Sequence, residues 1–129
     1  MDRKAPWSHA LELPVTVGSA SQARDFVLQH LADHDLSYLT DDVQLVVSEL
    51  ATNALVHART PFTVSLRALD RSVLLTVRDG AMSGPMVVAP RNLDLGGRGM
   101  MIVQGLSRDW GVSVDAGGGK SVWAVFDTQ

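Results

Sequence analysis

Apolar side chains at Val43, Val46, Val47, Leu50 and Ala54 recur with the spacing of one helical face, and this stripe constrains the fold more than any other feature. A helix with one apolar face must bury it against a second layer. The same segment sets Glu49, Asn53 and His57 four residues apart, which stacks them along the edge of the stripe. Around the axis from Leu50, Asn53 lies roughly 60° away and Glu49 roughly 100° away, at about 3.6 residues per turn. A carboxylate and an amide drawn half into a packed layer cost free energy unless something satisfies them. A protein partner, a metal ion or a ligand would do so; a solvated flank with Asn53 capping a nearby backbone group is the plainer alternative.

The remaining elements follow from periodicity and punctuation. Residues 9–17 alternate, with Leu11, Leu13, Val15 and Val17 on one face of a predicted strand. Ser19 is the expected cap of a helix reaching about His34, with Gln22 as its capping-box partner and Ala23, Phe26, Val27, His30 and Leu31 along it. Thr40 is the expected cap of the helix that holds Glu49, and Asp41 and Asp42 suit the positive end of its dipole. That helix stops before Pro61. Phe62, Val64, Leu66 and Ala68 then alternate, as do Val73, Leu75 and Val77, with a tight turn near Asp70 and Arg71, which predicts an antiparallel hairpin. Residues 80–97 lose all pattern and read as a long loop, a length that is usually functional in compact domains. A short helix over 99–106 precedes strands at 110–115 and 121–126, joined through Gly117, Gly118 and Gly119. The expected class is α+β: a two-layer sandwich with a mostly antiparallel sheet covered on one face by helices.

At 129 residues the chain suits a single domain, with its core at about 11–126. Eleven Lys and Arg against 14 Asp and Glu leave a net charge of −3, which gives no basic field for direct nucleic-acid binding. There is no cysteine, which removes disulfides and thiolate metal sites. No apolar run approaches the roughly 20 residues of a membrane span, and the charged start Met1-Asp2-Arg3-Lys4 lacks a signal-peptide centre, so the expected location is cytoplasmic.

Two further features bear on chemistry. Asp79 continues the Val73, Leu75, Val77 alternation, so it points to the buried face directly before Gly80. A carboxylate there can accept hydrogen bonds from a polar ligand edge such as an exocyclic amine; turning outward before glycine is the alternative. Gly96, Gly97, Arg98 and Gly99 lead into a helix, an arrangement that lets backbone approach an anion closely.

In this order and spacing the segments resemble the GHKL (histidine-kinase-like) ATPase superfamily and its Bergerat fold, and within it the small bacterial anti-sigma-factor serine kinases. Glu49-Leu50-x-x-Asn53-Ala54-x-x-His57-Ala58 matches the N-box, Val77-Arg78-Asp79-Gly80 the first glycine box, and Gly97-Arg98-Gly99-Met100 the second. Trp110-Gly111-Val112 and Gly118-Gly119-Lys120-Ser121-Val122-Trp123 resemble the closing strands. The resemblance implies ATP and Mg²⁺ as cofactors. Asn53 would hold the metal through its amide oxygen, and Glu49 would take the proton from an attacking hydroxyl. Asp79 with Gly80 would bind the adenine end, and Gly97, Arg98, Gly99 and Met100 would wrap the triphosphate. Three positions depart from the pattern: Ala81 and Met101 stand where glycines are common, and Lys120 stands where a threonine often lies beside the adenine.

The function so implied is a protein-serine kinase that phosphorylates an antagonist protein on serine and binds a sigma factor when the antagonist is absent; exposed sheet edges leave open whether the chain also pairs as a homodimer. The rival readings are a non-catalytic nucleotide-binding module that sequesters a partner and a stand-alone relic of a sensor kinase. Retention of Glu49 favours catalysis over the first, and the lack of a phosphoacceptor helix disfavours the second. His30 and His34, four apart on one helix, show no third ligand and no His-Glu-x-x-His run, so a metal there is not expected.

Overall fold

The computed structural model describes residues 6–80, 98–116 and 118–128. Five strands form one antiparallel sheet in the order β1-β2-β3-β5-β4, from β1 (Ser8–Leu13), β2 (Phe62–Ala68), β3 (Ser72–Asp79), β4 (Asp109–Val114) and β5 (Lys120–Asp127). The alternation expected on β2 and β3 decides the buried face: Phe62, Val64 and Leu66 lie beneath the helices beside Val73, Leu75 and Val77. The β2–β3 reversal falls at Asp70 and Arg71, where Leu69 N donates to Ser72 O at 2.8 Å and Arg71 adopts φ 101°.

Helices α1 (Ser19–Asp33) and α2 (Thr40–Asn53) pack side by side on that face, and α3 (Arg98–Leu106) packs against α2. The stripe at Val43, Val46, Val47, Leu50 and Ala54 is fully buried, as is Ala51. Each such valine or leucine contributes about 1.5–3 kcal/mol of burial, so α2 is the centre of the core. Val103 brings α3 into the same cluster. The expected two-layer α+β architecture is the observed one.

Several boundaries differ from the sequence reading. The first strand ends at Leu13, not residue 17, because Pro14 has no N–H to extend the ladder and the chain bends away; Val17 is 95 % exposed. Ser19 is not the cap of α1. Gly18 is, and the buried Ser19 Oγ instead donates to Pro14 O at 2.6 Å, tying the helix start to the end of β1. Thr40 is likewise not a cap. A 3-10 turn at Ser37–Leu39 runs directly into α2, so Leu39 takes the cap position and Thr40 the first helical one. Asp41 and Asp42 do occupy the first turn. The short helix begins at Arg98, and most of the 80–97 loop lies outside the described residues.

Candidate functional site

Glu49 and Asn53 sit on the last turns of α2, partly exposed at the rim of the core, where the helical spacing put them. Neither side chain hydrogen-bonds to another described residue. After Asn53 the helix widens into a π turn at Ala54–Ala58, closed by Arg59 N donating to Ala54 O at 2.9 Å. Wide turns of this kind recur at functional sites. His57 lies within that turn and is exposed.

Arg59, in the left-handed conformation at φ 58°, reverses the chain into Thr60, Pro61 and β2. Thr60 then grips the end of β3: Gly80 N donates to Thr60 Oγ1 at 2.8 Å. Phe62, the first residue of β2, pairs in register with Asp79. One corner of the molecule thus unites the C-terminal end of α2 with the Asp79–Gly80 end of β3. Thr60 was missed by the sequence reading, since a threonine before proline carries no signal that it will meet a glycine across the sheet.

Asp79 is 4 % exposed, on the inner face as its alternation required. Its register partner on β5 is Lys120, whose Nζ lies 3.8 Å from Asp79 Oδ2 with only 13 % of the side chain exposed. The approach is fixed from behind. Gly118 and Gly119 adopt φ 99° and 101°, Asp115 N donates to Gly119 O at 2.9 Å, and Gly118 N donates to Asp115 O at 3.0 Å. A Cβ on Gly119 would lie 3.2 Å from Asp79 O, so the strands close tightly there because residue 119 has no side chain. On the opposite face Arg78 pairs with Asp115, while Lys120 approaches the Asp79 carboxylate on this face. The Trp110-Gly111 and Trp123 positions are also explained: Gly111 pairs with Trp123, and the indole ring occupies the space a Gly111 side chain would need.

Arg98, Gly99 and Met100 form the first turn of α3, which packs on α2, while Gly97 lies outside the described residues. A carboxyl acceptor at a buried strand end, and an amide and a carboxylate on the last turns of a helix, are groups of the kind that suit a nucleotide with a hard cation.

Two other places compete for attention and neither has this chemistry. A pocket of about 720 Å³ opens at the far end of the sheet against Leu69, Asp70 and Arg71, with Trp7, His34 and Tyr38 on its wall. Glu49, Asn53 and Asp79 do not line it. Beside it, His30 and His34 are joined by His9 of β1: the His9 and His30 rings stack at 3.8 Å, His9 Nε2 lies 3.0 Å from His34 Nε2, and Trp7 stacks on His34 at 4.0 Å. Among the described residues there is no group of three or more side chains that could hold a metal.

A model of the histidine kinase-like ATPase domain matches residues 13–126. The chain belongs to that family. Membership implies ATP as the ligand, usually with Mg²⁺. Among solved structures, the chain is similar to the RsbU and RsbW domains of Rv1364c from Mycobacterium tuberculosis, with a TM-score of 0.68 at 20 % identity. The match covers 94 % of this chain and 32 % of that one, so the chain spans about a third of its length, and the likeness is one of fold. A comparison with curated proteins finds no match. Among the described residues, no helix is long and apolar enough to cross a membrane.

Proposed function

We propose that the chain is an ATP-dependent protein-serine kinase of the anti-sigma-factor type, which phosphorylates an antagonist protein and exchanges it for a sigma factor. The observation that supports this reading is that Glu49 and Asn53 sit partly exposed on the last turns of α2, and that the turn following them packs against β3, the strand that ends in the buried Asp79. Bound ATP and Mg²⁺ would supply the transferable phosphoryl group and the neutralising charge. Asp79 would accept a hydrogen bond from the adenine amine and so fix the depth of the nucleotide. Asn53 would offer its amide oxygen, a hard ligand, to the cation. Glu49, half exposed, can receive a serine hydroxyl from solution and accept its proton on the side-chain carboxylate. Phosphoryl transfer asks mainly for positioning and charge neutralisation, which this set is suited to provide. The similarity to a structure containing an RsbW domain supports the regulatory setting.

The alternative is a nucleotide-binding module that sequesters its partner without catalysis. Glu49→Ala separates the two. As a kinase, the variant should keep nucleotide affinity within about tenfold, roughly 1.4 kcal/mol, while transfer to a serine-bearing antagonist falls by about 10²–10⁴. Asn53→Ala should instead lose Mg²⁺-dependent binding and transfer together. Equal inactivity of wild type and Glu49→Ala, with nucleotide and partner binding intact in both, would establish the binding module.

A further inference from the structure

We propose that the cavity at the turn end of the sheet binds a guanidinium group on an apolar stem, the chemistry of an arginine side chain. The place is separate from the nucleotide corner. The cavity opens on Asp70, Arg71 and Ser72, whereas Asp79 closes the other end of β3, roughly 23 Å from Ser72 at about 3.3 Å per residue. Its volume of about 720 Å³ lies within the roughly 300–1,000 Å³ of small-molecule sites. The walls are tied down from several sides. Trp7 stacks on His34 at 4.0 Å with the rings 5° apart, and its carbonyl accepts from Ala68 N at 2.9 Å. Leu69 N donates to Ser72 O at 2.8 Å and Thr128 N to Arg71 O at 3.0 Å, which anchors the turn that carries Asp70 and Arg71. Asp35 N donates to Ala32 O at 3.1 Å, which fixes Asp35 to the end of α1.

The chemistry of the walls selects a flat cation. Trp7 and Tyr38 supply aromatic rings, on whose faces a guanidinium plane stacks. Asp35 and Asp70 supply carboxylates, and neither forms an ion pair with another described residue. Asp35 and Leu36 follow directly on α1 and line the cavity, so the negative end of the helix dipole lies at the same wall. Against these stands one permanent cation, the exposed Arg71. Two carboxylates and a helix C-terminus outweigh it, so the balance favours a cationic ligand. A guanidinium also offers a carboxylate two parallel N–H bonds, which a rounded ammonium does not.

The test titrates the chain with n-butylguanidinium and follows amide and indole N–H signals by NMR. Saturable shifts are expected at Trp7, Asp35 and Asp70, with Asp79 and Gly80 unmoved. Pentanamide, neutral and of similar size, is expected to produce none. Asp35→Asn and Asp70→Asn should each weaken binding by about fivefold or more, because the charge-assisted bond is lost; asparagine tolerates the φ of 62° at position 35. Arg71→Gln should strengthen binding by about threefold through removal of a like charge, whereas it would weaken a site for anions. Thermal melts confirm that each variant is folded, and Asp70→Asn with Arg71→Gln carries the test if Asp35→Asn is not. Acetyl-Gly-Arg-Gly-amide distinguishes the sources of the ligand: binding tighter than n-butylguanidinium assigns the cavity to an arginine of a protein segment, and equal or weaker binding to a free guanidine. No saturable shift up to about 20 mM, equal binding of pentanamide, or affinity unchanged in the folded aspartate variants would overturn the inference. None of these outcomes depends on whether Asp79 binds a nucleotide.

Discussion

Replacing Asp79 by asparagine keeps the shape of the side chain and removes its charge, which separates the structural and binding duties of the most buried carboxylate in the site. The structural cost comes from Lys120. At 3.8 Å two unit charges attract by about 4 kcal/mol at an effective dielectric near 20, most of which is offset by the desolvation of both groups. Removing one partner of a fully buried pair costs about 3–5 kcal/mol. Here 13 % of Lys120 reaches solvent and its flexible stem can turn the ammonium outward, so about 1–3 kcal/mol is expected. For a domain of this size that lowers Tm by roughly 3–5 °C per kcal/mol. The binding cost comes from the ligand: an amide can present a donor where the adenine amine already presents one, and a hydrogen bond to a charged group is worth about 1.5–3 kcal/mol. ATP affinity should therefore fall by about 10- to 150-fold. Melting curves followed by calorimetric titration well below the variant's Tm measure the two losses separately. A folded Asp79→Asn protein with ATP affinity within about threefold of wild type would refute the assignment and leave Asp79 with its strand-pairing role alone.

Gly119→Ala should cost about 1–3 kcal/mol in chemical denaturation, because φ +101° is strained for any side chain and the new methyl would press on the Asp79 carbonyl; stability equal to wild type would show that the turn relaxes freely. Acidification should destabilise the fold through the histidine cluster. His30 has its pKa lowered, first by burial and then by His9 and His34, with Asp33 opposing, so the native state favours the neutral ring while the unfolded chain protonates near 6.5. The unfolded state then binds more protons as pH falls, and this contribution to stability, present above pH 6.5, is lost as pH drops below that value toward the folded pKa. Denaturation midpoints at pH 7.5 and 5.5 should diverge more in wild type than in His30→Phe; equal divergence would remove His30 as the cause.

Much of the candidate site's local geometry was legible in the sequence. The 3.6-residue period fixed which flank of α2 carries Glu49 and Asn53, and the two-residue period on β3 placed Asp79 inward among Val73, Leu75 and Val77. Both inferences are local: a side chain's direction relative to its neighbours follows from backbone geometry, and a single buried face propagates along the element. Where local geometry changed, the reading failed. The regular helix gave way to a π turn after Asn53, Pro14 ended β1 early, and Ser19 and Thr40 lost their caps to the turns preceding them. Caps and π turns depend on how the chain enters and leaves a helix, which a periodic pattern does not encode.

The pairings that bring the residues of this corner together were decided only by the tertiary structure. Lys120 meets Asp79 because β5 inserts between β3 and β4 in the sheet, a register set by the whole strand order. Thr60 meets Gly80 because β2 and β3 are antiparallel and in register, and His9 reaches His30 and His34 because β1 lies beneath α1. Sequence patterning determined which face each residue presents, since that is a property of one element. Which residues from distant elements share a face depended on closing a sheet from strands separated by helices and long connections, where loop-closure entropy and packing of the whole core choose the register.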